Sequence, residues 1–136
     1  EGVAPHTDQG VVTFNFWITP DDANLIPKGG GLCVYPKEQP ADWDWRHYNA
    51  QKYTPAIRQE IIEFLADAES ITIPHQQNRA VLFKSNLFHK SEQIDFKDSF
   101  ENRRINITML FGKYGQQNES ATAPTKKIIS TGKQNG

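Results

Sequence analysis

Residues 6–19, HTDQGVVTFNFWIT, open on an imidazole and a carboxylate two positions apart and run directly into a β-branched and aromatic stretch. Residues 11–19 have strand chemistry and no helical period, so they read as a β-strand. In an extended chain, residues i and i+2 point to the same side. His6 and Asp8 can therefore reach one point beside that strand. Whether they form a metal claw or a polar turn at its mouth depends on what the rest of the chain supplies.

Working outward, short strands are read at GLCVYP (31–36), SITIP (70–74), RAVLFKS (79–85), LFHKSEQI (87–94) and RRINITMLFG (103–112). One amphipathic helix is read near 55–68, with Thr54 as N-cap, Pro55 in the first turn, and Ile57, Ile61, Phe64 and Leu65 at helical spacing. PDDANLIPKGGG (20–31) is turn-forming. Its glycines run into a strand rather than a helix, so they are not a phosphate-binding loop. Residues 37–54 carry Trp43, Trp45, His47, Tyr48 and Tyr53, and read either as a lid over a substrate or as cover for the core. Many short strands with one helix predict a mainly β fold, an antiparallel sandwich or jelly roll, and not a βαβ sheet.

The chain has 136 residues, enough for one core. Its 15 basic and 16 acidic residues give no electrostatic case for nucleic acid. No apolar run approaches the roughly 20 residues of a membrane helix. Cys33, the single cysteine, excludes an internal disulfide and fits a reducing, cytoplasmic setting. The domain is expected over 1–112, followed by a polar tail over 113–136 with a short strand near 126–131.

Two protein ligands rarely hold a metal well, and His47, His75 and His89 are the candidates for a third. His47 and His75 read as solvent-exposed. His89 follows a short turn between strands, which places it at the end of a sheet. Two histidines and a carboxylate on one face of an iron make the facial triad of non-haem Fe(II) oxygenases. Fifteen residues after His89 comes Arg104, which shares a strand face with Asn106 and Thr108, while Ile105, Ile107 and Met109 share the other. Arg104 offers a fork suited to a carboxylate, and Asn106 can donate beside it. Arg103 competes for the role, but its parity places it with the apolar set. Asn15, of the same parity as Trp17, and Tyr35 are further candidates for holding a co-substrate. Lys84 and Ser85 read as a rim pair.

With these residues in view, most of 3–112 resembles the Fe(II)/2-oxoglutarate-dependent dioxygenases, the phytanoyl-CoA- and prolyl-hydroxylase-like members in particular. The resemblance rests on His6-Thr7-Asp8 as an H-x-D motif, NRAVLFKSNLFHKSEQI (78–94) around the distal His89, KGGGLCVYP (28–36), and Arg104-Ile105-Asn106 as a variant of an R-x-S motif. It implies a cupin-like double-stranded β-helix binding Fe(II) through His6, Asp8 and His89, and 2-oxoglutarate through Arg104. It also implies hydroxylation of a small molecule or a protein side chain, with release of succinate and carbon dioxide. Asn106 departs from the family, which has serine or threonine there. Five residues precede His6 where the family fold has a further strand. The expectation is therefore a core truncated at its N-terminus, with an exposed sheet edge that KKIIST (126–131) or a second copy of the chain would cover. Two other readings stand beside this one. The first is a non-catalytic cupin-type jelly roll that binds a metal or ligand. The second is a β-sandwich interaction module that uses exposed tryptophans.

Overall fold

A computed structural model describes residues 4–43 and 54–112. The tail, His47, Trp45 and most of the aromatic loop lie outside the described residues. The strands are β1 (Val12–Trp17), β2 (Leu32–Val34), β3 (Ile71–Ile73), β4 (Ala80–Lys84), β5 (His89–Ser91) and β6 (Asn106–Phe111), with one helix, α1 (Pro55–Leu65). They form two three-stranded antiparallel sheets, ordered β4-β1-β6 and β3-β2-β5. The fold is mainly β, as the run of short strands predicts. The described strands close no barrel, so the jelly-roll expectation is met only at this coarser level.

The helix starts where capping chemistry places it. The Thr54 hydroxyl accepts the Ile57 N–H at 3.3 Å, and Pro55 occupies the first turn, where its missing N–H costs nothing. Ile61 and Leu65 are buried against Phe88, with Tyr35, Trp43 and Phe64 packed around them. A second cluster joins the two sheets through Trp17, Leu32 and Val34. Trp17 is thus a core residue, and Trp43 is half-buried against the helix cluster, which removes Trp17 from any exposed binding surface.

The sheet β4-β1-β6 departs from the usual arrangement of an antiparallel sheet, apolar inside and polar outside. Thr13, Asn15 and Trp17 of β1 point inward and are buried. On the outer face, Leu82, Phe14 and Met109 stand in one cross-strand row and Ala80, Phe16 and Ile107 in the next. Leu82 is 64 % exposed and Phe111 53 %. The inward face is mixed, with Val81 and Phe83 packed beside Trp17 and the polar Thr13 and Asn15 buried on the same side.

His75 corrects the sequence reading. It is buried rather than exposed, with its ring 5.8 Å from Trp17 and edge-on to Phe96 at 5.1 Å. Neither ring nitrogen has a hydrogen-bond partner, and Asp21 Oδ1 stands 3.6 Å from Nδ1. Burial holds the imidazole below its ordinary pKa, with Asp21 pulling the other way. An unfolded histidine takes its proton near pH ~6.5. Below that pH the unfolded chain binds more protons than the folded one, so stability falls as pH falls. The urea midpoint is expected to be flat above neutrality and to drop between about pH 7 and 5. His75→Phe, which keeps the ring and removes the orphaned nitrogens, should flatten much of that drop. Superimposable profiles would show that His75 is not its source.

Candidate metal centre

His6 and His89 are 83 positions apart in the sequence, and the backbone sets them opposite each other. His6 N–H donates to His89 O at 3.0 Å and His89 N–H to His6 O at 2.9 Å, a reciprocal antiparallel bridge. Directly opposed residues present their side chains on one face, and the imidazole centroids lie 4.4 Å apart. Asp8 is fixed by its own N–H, which donates to Ser85 O at 2.8 Å. The three side chains offer ligand atoms that all lie within 4.8 Å of one another.

The tautomers follow from the hydrogen bonds. His6 Nδ1 lies 2.9 Å from Ala4 O, and His89 Nδ1 lies 3.0 Å from Leu87 O. A carbonyl can only accept, so both Nδ1 atoms carry hydrogen and both neutral rings present Nε2 as a lone pair. This outer-shell arrangement is the one that orients metal-binding histidines. Asp8 Oδ2 stands 3.4 Å from His89 Nε2. With Nε2 unprotonated, that contact brings two electron-pair donors together, a repulsion that a cation between them would relieve. Burial, and then the neighbouring His6, hold the His89 imidazole below its ordinary pKa. The Phe83 ring packs edge-on against it at 4.7 Å. A borderline divalent ion suits two imidazoles and a carboxylate, so the residues fit the metal that the resemblance implies.

The three side chains line a cavity of about 260 Å³ together with Asn15, Arg104, Asn106 and Thr108. Arg104 is held in a backbone cradle. Its Nε donates to Gly30 O at 2.7 Å, Nη2 to Gly31 O at 3.3 Å, and Nη1 to Asn106 Oδ1 at 3.2 Å. The segment before β6 is pinned by buried Thr19, whose hydroxyl takes the Ile105 N–H at 2.7 Å. Three of the five guanidinium donors are thus engaged, which leaves two. No carboxylate of the described residues pairs with Arg104. Burial pulls its pKa below the usual value, and a guanidinium remains charged even so.

Asn15 Oδ1 accepts from Thr108 Oγ1 at 2.6 Å and from Asn106 Nδ2 at 3.4 Å. Both bonds fall on the oxygen, which leaves the Asn15 –NH₂ as the group facing the cavity. Asn106 is occupied by Arg104, Asn15 and Thr108, the last at 2.9 Å, so it positions the fork more than it serves a ligand. The lining of the cavity therefore presents both lone pairs and N–H donors.

His6, Asp8, His89, Arg104, Asn106 and Asn15 come together as the sequence suggests, but Tyr35 does not. Tyr35 packs in the Ile61–Leu65–Phe88 cluster, away from the cavity lining. Ser85 is not a rim residue but fully buried, while Lys84 is exposed and paired with Glu38 at 2.6 Å. Leu32, Ser91 and Ile94 also line the cavity and were not anticipated. Ser91 has the parity of His89, a signal the sequence did contain.

No family model matches the chain, and no curated protein or solved structure does. Among the described residues, no helix is long and apolar enough to cross a membrane.

Proposed function

We propose that this chain carries the catalytic core of an Fe(II)- and 2-oxoglutarate-dependent oxygenase. It would hydroxylate a small molecule or a protein side chain, with succinate and carbon dioxide as co-products. The observation that supports this reading is the mixed lining of one cavity: three convergent lone-pair donors, together with a guanidinium that has no carboxylate partner among the described residues and an amide –NH₂. A cation belongs with the first set and a carboxylate with the second. A 2-oxo diacid can bridge them, because its oxo-acid end chelates a metal while its far carboxylate meets Arg104 and Asn15. The volume is near the low end of the roughly 300–1,000 Å³ typical of ligand pockets, which suits a molecule of that size.

His6, Asp8 and His89 would hold iron on one side and leave positions open on the other. Bound iron(II) supplies the activation of dioxygen. Arg104 and Asn15 orient the co-substrate, and Asn106 and Thr108 keep those donors in place. Leu32 and Ile94 give the cavity apolar wall, which limits water around the carbon chain.

Anaerobic Fe(II) and 2-oxoglutarate should together give a weak visible charge-transfer band, lost in His6→Ala. Arg104→Met should weaken 2-oxoglutarate binding roughly 10- to 150-fold, the equivalent of one charge-assisted hydrogen bond at ~1.5–3 kcal/mol. Metal affinity should not change in that variant. Absence of the band in folded wild-type protein would sink the oxygenase reading.

A further inference from the structure

Two hydroxyls are sealed inside the protein beside the metal ligands, and the reading above gives them no role. Thr13 and Ser85 are both 0 % exposed. Thr13 Oγ1 lies 2.8 Å from Asp8 Oδ2 and 2.9 Å from Ser85 Oγ. A threonine hydroxyl has one hydrogen, and a carboxylate oxygen can only accept. If that hydrogen pointed to Ser85, two oxygen lone pairs would face each other at 2.8 Å, so it must point to Asp8. Ser85 then donates to Thr13. The direction of the chain is settled: Ser85 Oγ–H to Thr13 Oγ1, Thr13 Oγ1–H to Asp8 Oδ2.

We propose that Ser85 and Thr13 form a hydroxyl relay that holds Asp8 as a one-oxygen metal ligand and so strengthens the centre's hold on a transition-metal ion. The inference rests on the metal-centre reading above. Oδ2, the oxygen that takes the Thr13 hydrogen, is also the one 3.4 Å from His89 Nε2. The hydrogen bond fixes rotation of the carboxylate so that this oxygen meets the imidazoles. The Asp8 backbone is held separately, by its N–H on Ser85 O. Ser85 thus grips Asp8 twice, once by main chain and once through Thr13. Gly10 leaves the room this needs, since a Cβ there would stand 3.0 Å from Ser85 Oγ.

Imidazole and a one-oxygen carboxylate suit Fe(II), Co(II) or Mn(II). Freeing Asp8 to rotate should therefore weaken the hold on such an ion.

The test measures the Co²⁺ dissociation constant of the whole chain by calorimetry for wild type, Thr13→Val, Thr13→Ser and Ser85→Ala. Thr13→Val keeps the shape and removes the hydroxyl. It should weaken Co²⁺ about 10- to 100-fold, the usual effect of losing an outer-shell partner. Thr13→Ser should restore the wild-type value. Ser85→Ala, which keeps the hydrogen bond to Asp8 and loses only its support, should give the same change at smaller size. It also serves if Thr13→Val does not fold. No weakening in Thr13→Val, or no recovery in Thr13→Ser, with wild-type Co²⁺ binding intact, overturns the relay and leaves the metal centre standing. No Co²⁺ binding by the wild type overturns the metal centre and the relay with it.

Discussion

Asp8→Asn is expected to abolish stabilisation by divalent metal while leaving the metal-free protein at least as stable as the wild type. The two halves of that result have one cause. In the metal-free protein the Asp8 carboxylate and the His89 Nε2 lone pair face each other at 3.4 Å. An asparagine –NH₂ in the place of Oδ2 can donate one N–H to that lone pair and the other to Thr13, whose hydrogen then turns to Ser85, so the convergence is relieved. Its neutral oxygen is a much poorer ligand than a carboxylate. A wild-type site with metal at about 100 times its dissociation constant gains ~2.7 kcal/mol, which for a domain of this size moves the thermal midpoint by several degrees. That shift should vanish in Asp8→Asn, with metal affinity lower by more than about 100-fold, beyond what loss of an outer-shell partner costs. Differential scanning fluorimetry with Co²⁺ or Mn²⁺, set beside a calcium control, measures both halves. An undiminished metal-induced shift in Asp8→Asn would show that the ion binds elsewhere.

Such a residue, costly to the empty protein and needed by the filled one, marks where sequence reasoning succeeds and where it stops. The parity of His6 and Asp8 is visible in the sequence because strand periodicity is local. So is the choice of Arg104 over Arg103, since alternate residues of β6 face opposite ways, and Arg103 is indeed exposed. The bridge that brings His89 to His6 is not visible, because it is a long-range backbone pairing with no local signature. The carbonyl cradle under Arg104 is hidden for the same reason, since every residue has a carbonyl. Tyr35 differs from its sequence reading because parity alone fixes no side until one member is placed: Leu32 lines the cavity, and Tyr35, three positions on, faces the other way. His75 was misread because its neighbours, Pro74, Gln76 and Gln77, are those of an exposed turn, whereas its burial comes from Trp17 and Phe96. The outcome at each position depends on whether the deciding partner is near in sequence or far.

Gly31→Ala is expected to be among the most destabilising single changes in the described chain, and the reason couples the fold to the site. A methyl group at Gly31 would overlap the Ile73 carbonyl oxygen and stand 2.7 Å from His75 N and 2.8 Å from Pro74 C. All three are main-chain atoms of β3 and the turn after it, so no side chain can rotate away. Relief requires β2 and β3 to separate, although Leu32 pairs with Ile73 at that position. The loss should exceed the ~1–3 kcal/mol usual for overpacking. With a urea slope of about 1–3 kcal/mol/M, the midpoint should fall by roughly 1 M or more. Gly29→Ala is the control. Its Cβ would meet Ile26 Cγ2 at 2.6 Å and Ile26 Cβ at 3.2 Å, side-chain atoms that rotation about χ1 clears in part, whereas Gly31 faces main chain, so its effect should be smaller. Gly31 O also accepts from Arg104 Nη2. Any Gly31→Ala protein that still folds should therefore bind 2-oxoglutarate more weakly than its loss of stability alone predicts. Equal midpoints for the two variants would mean that β2 and β3 can shift apart without cost, and that the close approach at Gly31 is not what seats the arginine.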